Sequence, residues 1–226
     1  EEFGVEVRHG WGMTEMSPVG TVNTLAPEMR DLPATEKLDI QCKQGRPPFG
    51  VEMKITDERG NELPHDGTAY GELKVRGPFV CSGYLRLDHS EAHVDGWFDT
   101  SDVASIDPKG YMQIVDRKKD IIKSGGEWIS SIDLEDIAVG HPDVLQAAVI
   151  GIAHPQWDER PLLLVVPAEG RTPVKTELLN FLSDKVAKWW LPDDVVVVDS
   201  FPIGGTGKVL KNELREQFKD YSLTGA

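Results

Sequence analysis

Four stretches of the chain carry residue types whose spacing could do chemistry. The first is Gly10-Trp11-Gly12-Met13-Thr14-Glu15. Its glycines let the backbone approach a ligand closely. Thr14 can hydrogen-bond a phosphate, Glu15 is a hard oxygen ligand suited to Mg²⁺, and Trp11 offers a flat face to a base. The same string also reads as a strand-to-loop turn with a structural tryptophan. The second is Trp97-Phe98-Asp99-Thr100-Ser101-Asp102. A carboxylate at a strand start could accept both hydroxyls of a ribose, as acidic residues do in dinucleotide sites, or serve as an ordinary turn residue.

The third stretch, Asp116–Ile129, gathers Arg117, Lys118, Lys119 and Lys123 into a local positive patch, and Gly125-Gly126 could admit a ligand or form a strained turn. A solvated linker is the alternative. The fourth is Pro202-Ile203-Gly204-Gly205-Thr206-Gly207-Lys208, ahead of a helix. A glycine-rich loop ending in lysine resembles a phosphate cradle, or is a glycine loop with an exposed lysine. It is not a Walker A loop, because Val209 follows Lys208 where that pattern needs Ser or Thr. Elsewhere the candidates thin out. The six histidines show no metal-ligand spacing, His89 and His93 being the one i, i+4 pair. No Gly-x-Ser-x-Gly elbow anchors a hydrolase triad. Trp189-Trp190 before Pro192 reads as core and helix stop.

The chain that must hold these groups has 226 residues and a formal net charge of −14. So acidic a chain argues against nucleic acid as a partner, since phosphate neutralisation needs a basic face. Hydrophobic residues at 39% and charged residues at 27% fit a soluble globular protein. Apolar runs such as Pro161–Pro167 are too short to span a bilayer, so no transmembrane segment is expected. Cys42 and Cys81 make no disulfide framework, which points to a reducing, cytoplasmic location. The chain lacks an initiator Met, and Glu1–Arg8 reads as entry to a strand with no signal or transit peptide before it. The expectation is a piece of a longer protein.

Alternation predicts strands at Val51–Thr56, Gly71–Arg76, Asp102–Ile106 and Tyr111–Val115, the last two joined by the turn Asp107-Pro108-Lys109-Gly110. Between Thr24 and Pro48 a polar, proline-bearing stretch reads as loop. Near Asp116 the character changes. Asp116–Asp120 has no apolar residue and reads as a link between domains. Beyond it Ser130 or Ser131 caps a helix over Ile132–Val139 with Gly140 as stop. Strands Val144–Ile152, Leu162–Pro167 and Val195–Val198 alternate with helices Lys175–Lys188 and Lys208–Phe218. The fold class is α+β: a distorted, β-barrel-like subdomain over 1–116, then a small α+β domain over 117–226 with a three-stranded sheet.

In this order the four stretches resemble the adenylate-forming superfamily: acyl-CoA synthetases, luciferases and peptide-synthetase adenylation domains. Gly10–Glu15 looks like G-[YW]-G-x-T-E. Gly71-Glu72-Leu73 with Gly77 and Gly83-Tyr84 looks like G-E-L…G…G-Y. Trp97–Asp102 looks like W-[FL]-x-T-G-D, with Ser101 where glycine is usual. Asp116–Ile129 looks like [GD]-R-x-K-D-x-I-x-x-x-G-x-x-I, and Pro202–Lys208 like P-x-x-x-x-G-K. Lys123–Ser130 looks most like fatty acyl-CoA ligases of the medium-chain and methylmercaptopropionate type.

The resemblance implies an ATP-dependent acid–thiol ligase that makes acyl-AMP from a medium- or long-chain fatty acid and passes the acyl group to CoA. It implies that Trp11 stacks on adenine, that Gly12 and Thr14 approach the nucleotide with Thr14 on the α-phosphate, and that Glu15 holds Mg²⁺. Asp102, assisted by Arg117, would bind the ribose hydroxyls. Lys208 would reach ATP and the carboxylate during adenylation, Lys123, Gly125 and Gly126 would face CoA in the thioester step, and Lys119 would be the hinge of a rotating C-terminal lid. Residues 1–116 would be the end of the large domain. The family's loop T-S-G-T-T-G-x-P-K-G does not occur among the 226 residues. Its place would lie in an N-terminal part of the same protein, a partner this chain would need, and the chain alone would be inactive. Two alternatives stand beside this one: a relative that delivers acyl-AMP to a carrier protein or to oxidation, and a non-catalytic nucleotide-binding or interaction fragment. The oligomeric state stays open, a homo-oligomer included.

Overall fold

A computed structural model describes residues 3–87, 91–205 and 207–222. His89 and Thr206, both within stretches singled out above, lie outside the described residues. The chain divides into two compact units, Glu1–Lys118 and Lys119–Ala226.

In the first unit β1 (Gly10–Gly12) pairs antiparallel with β2 (Val19–Val22). α1 (Ala34–Cys42) follows, then β3 (Glu52–Thr56), β4 (Tyr70–Arg76), β5 (His93–Val94), β6 (Trp97–Ile106) and β7 (Met112–Arg117). The last five form one antiparallel sheet in the order β3-β4-β6-β5, with β7 also on β6. Alternation drives it: Ile55, Leu73, Val75, Phe98, Ala104 and Met112 point into one buried cluster. β6 turns into β7 because the Asp107 carboxylate accepts hydrogen bonds from the N–H groups of Lys109 and Tyr111 at 2.9 and 3.0 Å, an Asx turn closed by Gly110 N–H to Asp107 O. Among the described residues the sheet stays open and no barrel closes.

Two expectations change here. Phe3–His9 forms no strand; the strand begins at Gly10. The stretch 24–48, read as loop, contains α1. That helix buries none of its residues, so it has no apolar stripe to announce it. Tertiary bonds hold it instead. Buried Asn23 donates through Nδ2 to the carbonyls of Ile40 and Lys43 at 2.7 and 2.8 Å, satisfying groups the helix end leaves open.

The second unit runs β8 (Ile122–Ser124), β9 (Glu127–Ile129), α2 (Ser131–Val139), β10 (Val144–His154), β11 (Asp158–Pro167), α3 (Lys175–Ser183), β12 (Asp194–Val197) and α4 (Lys211–Gln217). Strand β11 is central, antiparallel to β10 and parallel to β12. Its unbroken apolar run follows from burial on both faces. Leu163 and Val165 pack towards Leu134, Ala138, Leu178 and Leu182 of α2 and α3. Leu162 and Leu164 pack towards Phe201 and Leu214, the latter on α4. Ser130 is the helix cap, its Oγ accepting from Asp133 N–H at 3.1 Å.

The α+β class holds, but the sheet has five strands, not three. The added pair, β8 and β9, lies in the glycine-bearing stretch that could equally have been linker, and joins β11 through Ser124 opposite Asp158. The charge cluster 116–120 is also less linker-like than its composition. Asp116 and Arg117 belong to β7, and buried Asp120 is bound by Arg215 at 2.7 Å. Helix α3 stops at Ser183 and α4 starts at Lys211, leaving Lys208 in a turn. Among the described residues no helix is long and apolar enough to cross a membrane.

Asp194 locks β12 into the second unit. Burial pushes its carboxyl up, but hydrogen bonds from Lys175, Tyr221 and the Val195 N–H outweigh that and hold it below the ordinary range. Burial and the same bond push the Tyr221 phenol to about 12. A carboxyl with a depressed folded pKa contributes stability above its unfolded pKa of about 3.9, lost as pH falls through the folded value. The difference in unfolding free energy between wild type and Asp194→Asn should therefore be flat above about pH 5 and shrink below about pH 4. Urea titrations at several pH values check this, and a difference that grows on acidification would refute it.

Candidate functional site

In the first unit three sequence-predicted residues converge. Asp102 stands on β6 opposite Arg117 of β7. Its side chain is only 4% exposed, and Arg117 Nε lies 2.9 Å from Oδ1. Trp11 of β1 donates its indole Nε1–H to Oδ2 at 3.0 Å, across 91 residues of chain. The carboxylate is thus held between an indole and a guanidinium. An ionised carboxylate has about four lone-pair sites, more than one bond to each oxygen uses. One side of the Trp11 ring packs over Gly20, where a Cβ would come within 2.3 Å of the ring.

The remaining residues of the motif lie on the turn that follows β1. A Cβ on Gly12 would sit 1.9 Å from Pro18 O, so only glycine lets the two chains close. Exposed Thr14 opens the short helical turn Thr14–Met16. Glu15 is fixed twice: Cys81 N–H donates to its carbonyl at 2.7 Å, and Tyr84 OH donates to its Oε1 at 2.9 Å. Burial, then the bond to Glu15, raises the Tyr84 phenol above its ordinary pKa and keeps it a donor. One Glu15 oxygen has no hydrogen bond from Tyr84. A single hard carboxylate suits Mg²⁺, which usually takes one or two carboxylates along with phosphate and water. Among the described residues no group of three or more potential metal ligands forms.

Glu72, from the Gly71-Glu72-Leu73 motif, is 7% exposed and sits in a charge network. Lys74 binds Glu72 at 2.8 Å and Asp99 at 2.6 Å, and Lys118 binds Glu72 at 2.6 Å and Asp99 at 3.4 Å. Burial pushes Asp99 up, yet the Lys74 and Ser101 hydrogen bonds and the two lysine charges hold it below the ordinary range. Lys118 is the last residue of the first unit and Lys119 the first of the second.

In the second unit Lys123, Gly125 and Gly126 share one hairpin. Gly125 and Gly126 have φ of +61° and +87°, the left-handed region that favours glycine. Gly125 N–H donates to Trp157 O at 2.8 Å, and Lys123 N–H donates to Glu159 Oε2 at 3.0 Å. Lys123 Nζ lies 5.8 Å from the Trp128 ring centroid. Beside the hairpin opens a cavity of about 590 Å³ lined by Ser124, Gly125, His154, Trp157, Arg160 and Trp189 among others. His154 Nδ1 accepts from the N–H groups of Gln156 and Trp157, each at 3.2 Å, so the neutral ring carries its proton on Nε2. Lys208 sits on a different turn, built by Gly204 N–H to Lys208 O and Gly207 N–H to Gly204 O, and flanked by the bridge Ile203–Val209.

Tyr84, Trp157, Arg160 and Asp193 escaped the sequence reading as individual residues. Tyr84 stands in the sequence as the second residue of the Gly83-Tyr84 element. Trp157 and Asp193 lie in polar turns and Arg160 at the polar start of β11, and the available signal was a tryptophan within the polar stretch Pro155–Arg160.

Two family models match. Residues 1–85 match AMP-binding enzyme and residues 133–208 match AMP-binding enzyme C-terminal domain. The chain is 58% identical over 225 residues to a 3-methylmercaptopropionyl-CoA ligase of Ruegeria lacuscaerulensis, covering 100% of itself and 42% of that protein. It is 51% identical over 221 residues to a medium-chain-fatty-acid–CoA ligase of Ectopseudomonas oleovorans, covering 98% of itself and 40% of that protein. Among solved structures, ATP-bound MatB from Rhodopseudomonas palustris matches with TM-score 0.81 and 33% identity, over 96% of this chain and 41% of that one. The o-succinylbenzoate CoA synthetase of Bacillus subtilis in complex with its acyl-adenylate matches with TM-score 0.79 and 30% identity, over 95% of this chain and 42% of that one. The chain therefore spans less than half the length of these relatives.

Asp102→Ala strips the acceptor from both the Trp11 indole and Arg117. A buried donor left unpaired costs about 1–3 kcal/mol, so the first unit should lose about that much unfolding free energy. Thr14→Ala, at an exposed position, should change stability by less than about 0.5 kcal/mol. Denaturant unfolding followed by tryptophan fluorescence separates the two, and equal small changes would refute the pairing role of Asp102.

Proposed function

The chain belongs to the AMP-binding enzymes, and on that premise we propose that the full-length protein carrying it is an ATP-dependent acid–thiol ligase of the cytoplasm. It would activate a fatty-type carboxylic acid as acyl-AMP and transfer the acyl group to CoA. The observation that carries this reading is the buried Asp102 carboxylate, held at both oxygens by Trp11 and Arg117 beside a glycine turn. A carboxylate so oriented is suited to a vicinal diol. The relatives named for 3-methylmercaptopropionyl-CoA and for medium-chain fatty acids support the substrate class.

In the first step an oxygen of the acid attacks the α-phosphorus of ATP and pyrophosphate leaves. Asp102 and Arg117 hold the ribose, Trp11 faces the base, and Gly12 and Thr14 bring N–H and hydroxyl groups towards the phosphates. Glu15 would hold Mg²⁺, whose chemistry there is to offset phosphate charge. Lys208 supplies a positive charge to the carboxylate and the developing phosphorane. In the second step the CoA sulfur attacks the acyl carbonyl carbon and AMP leaves, with Lys123, Gly125 and Gly126 lining the thiol's approach. The two steps use different faces of the 119–226 unit, which acts as a lid about Lys119, while the 1–118 unit is the end of the large domain. Lys118, paired with Glu72 and Asp99, anchors the upstream side of that hinge.

In the full-length enzyme Lys208→Ala should slow adenylation, read by pyrophosphate exchange into ATP, by at least about a hundredfold, the scale of losing one charge-stabilising group. It should leave thioester formation from pre-made acyl-AMP nearly intact. Gly126→Leu, which forces a branched side chain to φ +87°, should do the reverse. Lys119→Pro, which fixes φ, should spare one half-reaction only. The isolated 226-residue chain should make no acyl-CoA, since the β- and γ-phosphate oxygens lose charge-assisted bonds worth about 1.5–3 kcal/mol each. Equal losses in both steps for both Lys208→Ala and Gly126→Leu would overturn the assignment.

A further inference from the structure

Four consecutive residues, Trp157, Asp158, Glu159 and Arg160, each hold the front of the β8–β9 hairpin. Trp157 O accepts from Gly125 N–H. Asp158 pairs with Ser124 in the sheet. Glu159 Oε2 accepts from Lys123 N–H at 3.0 Å. Arg160 Nη1 donates to Ser124 Oγ at 3.2 Å. Arg160 also reaches a third segment. Its Nη1 donates to Trp189 O at 2.7 Å, its Nη2 to Leu191 O at 3.0 Å and to Asp193 Oδ1 at 2.7 Å, and its Nε to both Asp193 oxygens at 3.0 Å. All five donors of the guanidinium are used, and the side chain is 12% exposed.

We propose that Arg160 is the positioning residue that fixes the Gly125–Gly126 turn, and through that turn sets the rate of the thiol-transfer step. This rests on the reading of that turn as the thiol face. Two left-handed residues in succession give a turn many alternative conformations when it is released, and glycine loses more freedom on ordering than any other residue. The restraint therefore has to come from the flanks. Arg160 supplies it at Ser124, the residue before Gly125, and ties it to the 189–193 segment across the cavity. Arg160 itself touches no reacting atom in this scheme. A rigid five-donor fork is what the role requires. Lysine carries three donors on a point charge and cannot span an oxygen pair, two carbonyls and a hydroxyl at once.

Misplacing a reacting group by about 1 Å costs up to about a hundredfold in rate, and loss of a supporting partner typically costs about ten- to a hundredfold. In the full-length enzyme, Arg160→Met should therefore slow single-turnover thioester formation from pre-made acyl-AMP and CoA by about ten- to a hundredfold. Pyrophosphate exchange should stay within about twofold of wild type, the scale of an unperturbed site. Arg160→Lys should recover only part of the lost rate. Arg160→Gly should regain thioester formation when guanidinium is added at millimolar concentration, with no such gain in adenylation. A merely structural role predicts no such step-selective rescue. Should Arg160→Met melt early, Ser124→Ala removes only the bond to the hairpin and leaves the 189–193 clamp, and it should show the same selectivity at smaller size. Parallel losses in both half-reactions, or an unchanged thioester rate in Arg160→Met and in Ser124→Ala, would overturn the positioning role. If instead wild-type enzyme makes acyl-AMP but never a CoA thioester, the ligase reading fails first, and the two failures are told apart by that control.

Discussion

A buried charge must be paired where it lies, and the first unit is arranged around one such charge. Asp102 is 3% exposed. Moving a carboxylate into that environment unpaired would shift it to the neutral form or cost several kcal/mol. Its partners come from both sides of the chain: Trp11 from the first strand pair and Arg117 from the last strand of the sheet. The pairing thus adds a polar tie between the strand pair and the sheet to the packing of Trp11, Met13 and Met16 against the same cluster. The bond to Arg117 is reinforced by register, since Asp102 and Arg117 are direct neighbours in the β6–β7 ladder. Together with Met16 in the apolar cluster and the bonds from Cys81 and Tyr84 to Glu15, this interaction fixes the place of the glycine turn.

The second unit solves the mirror problem with a cation. Arg160 is nearly buried and has its charge neutralised by Asp193, with its remaining donors taken by backbone carbonyls and a serine. The two solutions differ in what they leave available. Asp102 is an acceptor-only group, the kind that the proposed binding of a hydroxyl needs. Arg160 retains no donor, so it is a brace and not a ligand group. That difference between an acceptor and a donor whose five N–H groups are all used underlies the different roles proposed for the two residues.

The distribution of legible and illegible features follows from what each depends on. Strands β3, β4 and β6, the β6–β7 turn and the buried run of β11 were legible, because alternation, turn residues and two-sided burial are local consequences of sequence. Trp11, Asp102 and Arg117 were legible as a set only through motif order, because 91 residues separate the indole from its acceptor. Helix α1 was illegible, since none of its residues is fully buried and only Ile40 packs against an apolar cluster, while Asn23 holds its end from outside. The β8–β9 hairpin was illegible as sheet because three-residue strands around two glycines carry no period to count. Arg160 was illegible because its partners come from two distant segments, Ser124 and residues 189–193, that meet it only in the folded unit.

A chain of net charge −14 is an unpromising host for the polyanionic substrates proposed, and the arrangement of its cations answers the difficulty. Exposed charges act over only about 8 Å at physiological ionic strength, so local pairing matters more than the total. Lys74 and Lys118 are consumed by Glu72 and Asp99, and Arg117 by Asp102. These cations hold structure together and offer little charge to a phosphate. Lys208 is treated differently. It is exposed, has no ion-pair partner among the described residues, and sits at the end of a turn whose glycines Gly204 and Gly207 bond only to backbone. A lysine kept unpaired on a glycine turn costs little conformational energy to redirect, and its charge is not already spent on a neighbour. That combination suits the role proposed for Lys208, to meet an anion during one step of a reaction and withdraw for the next.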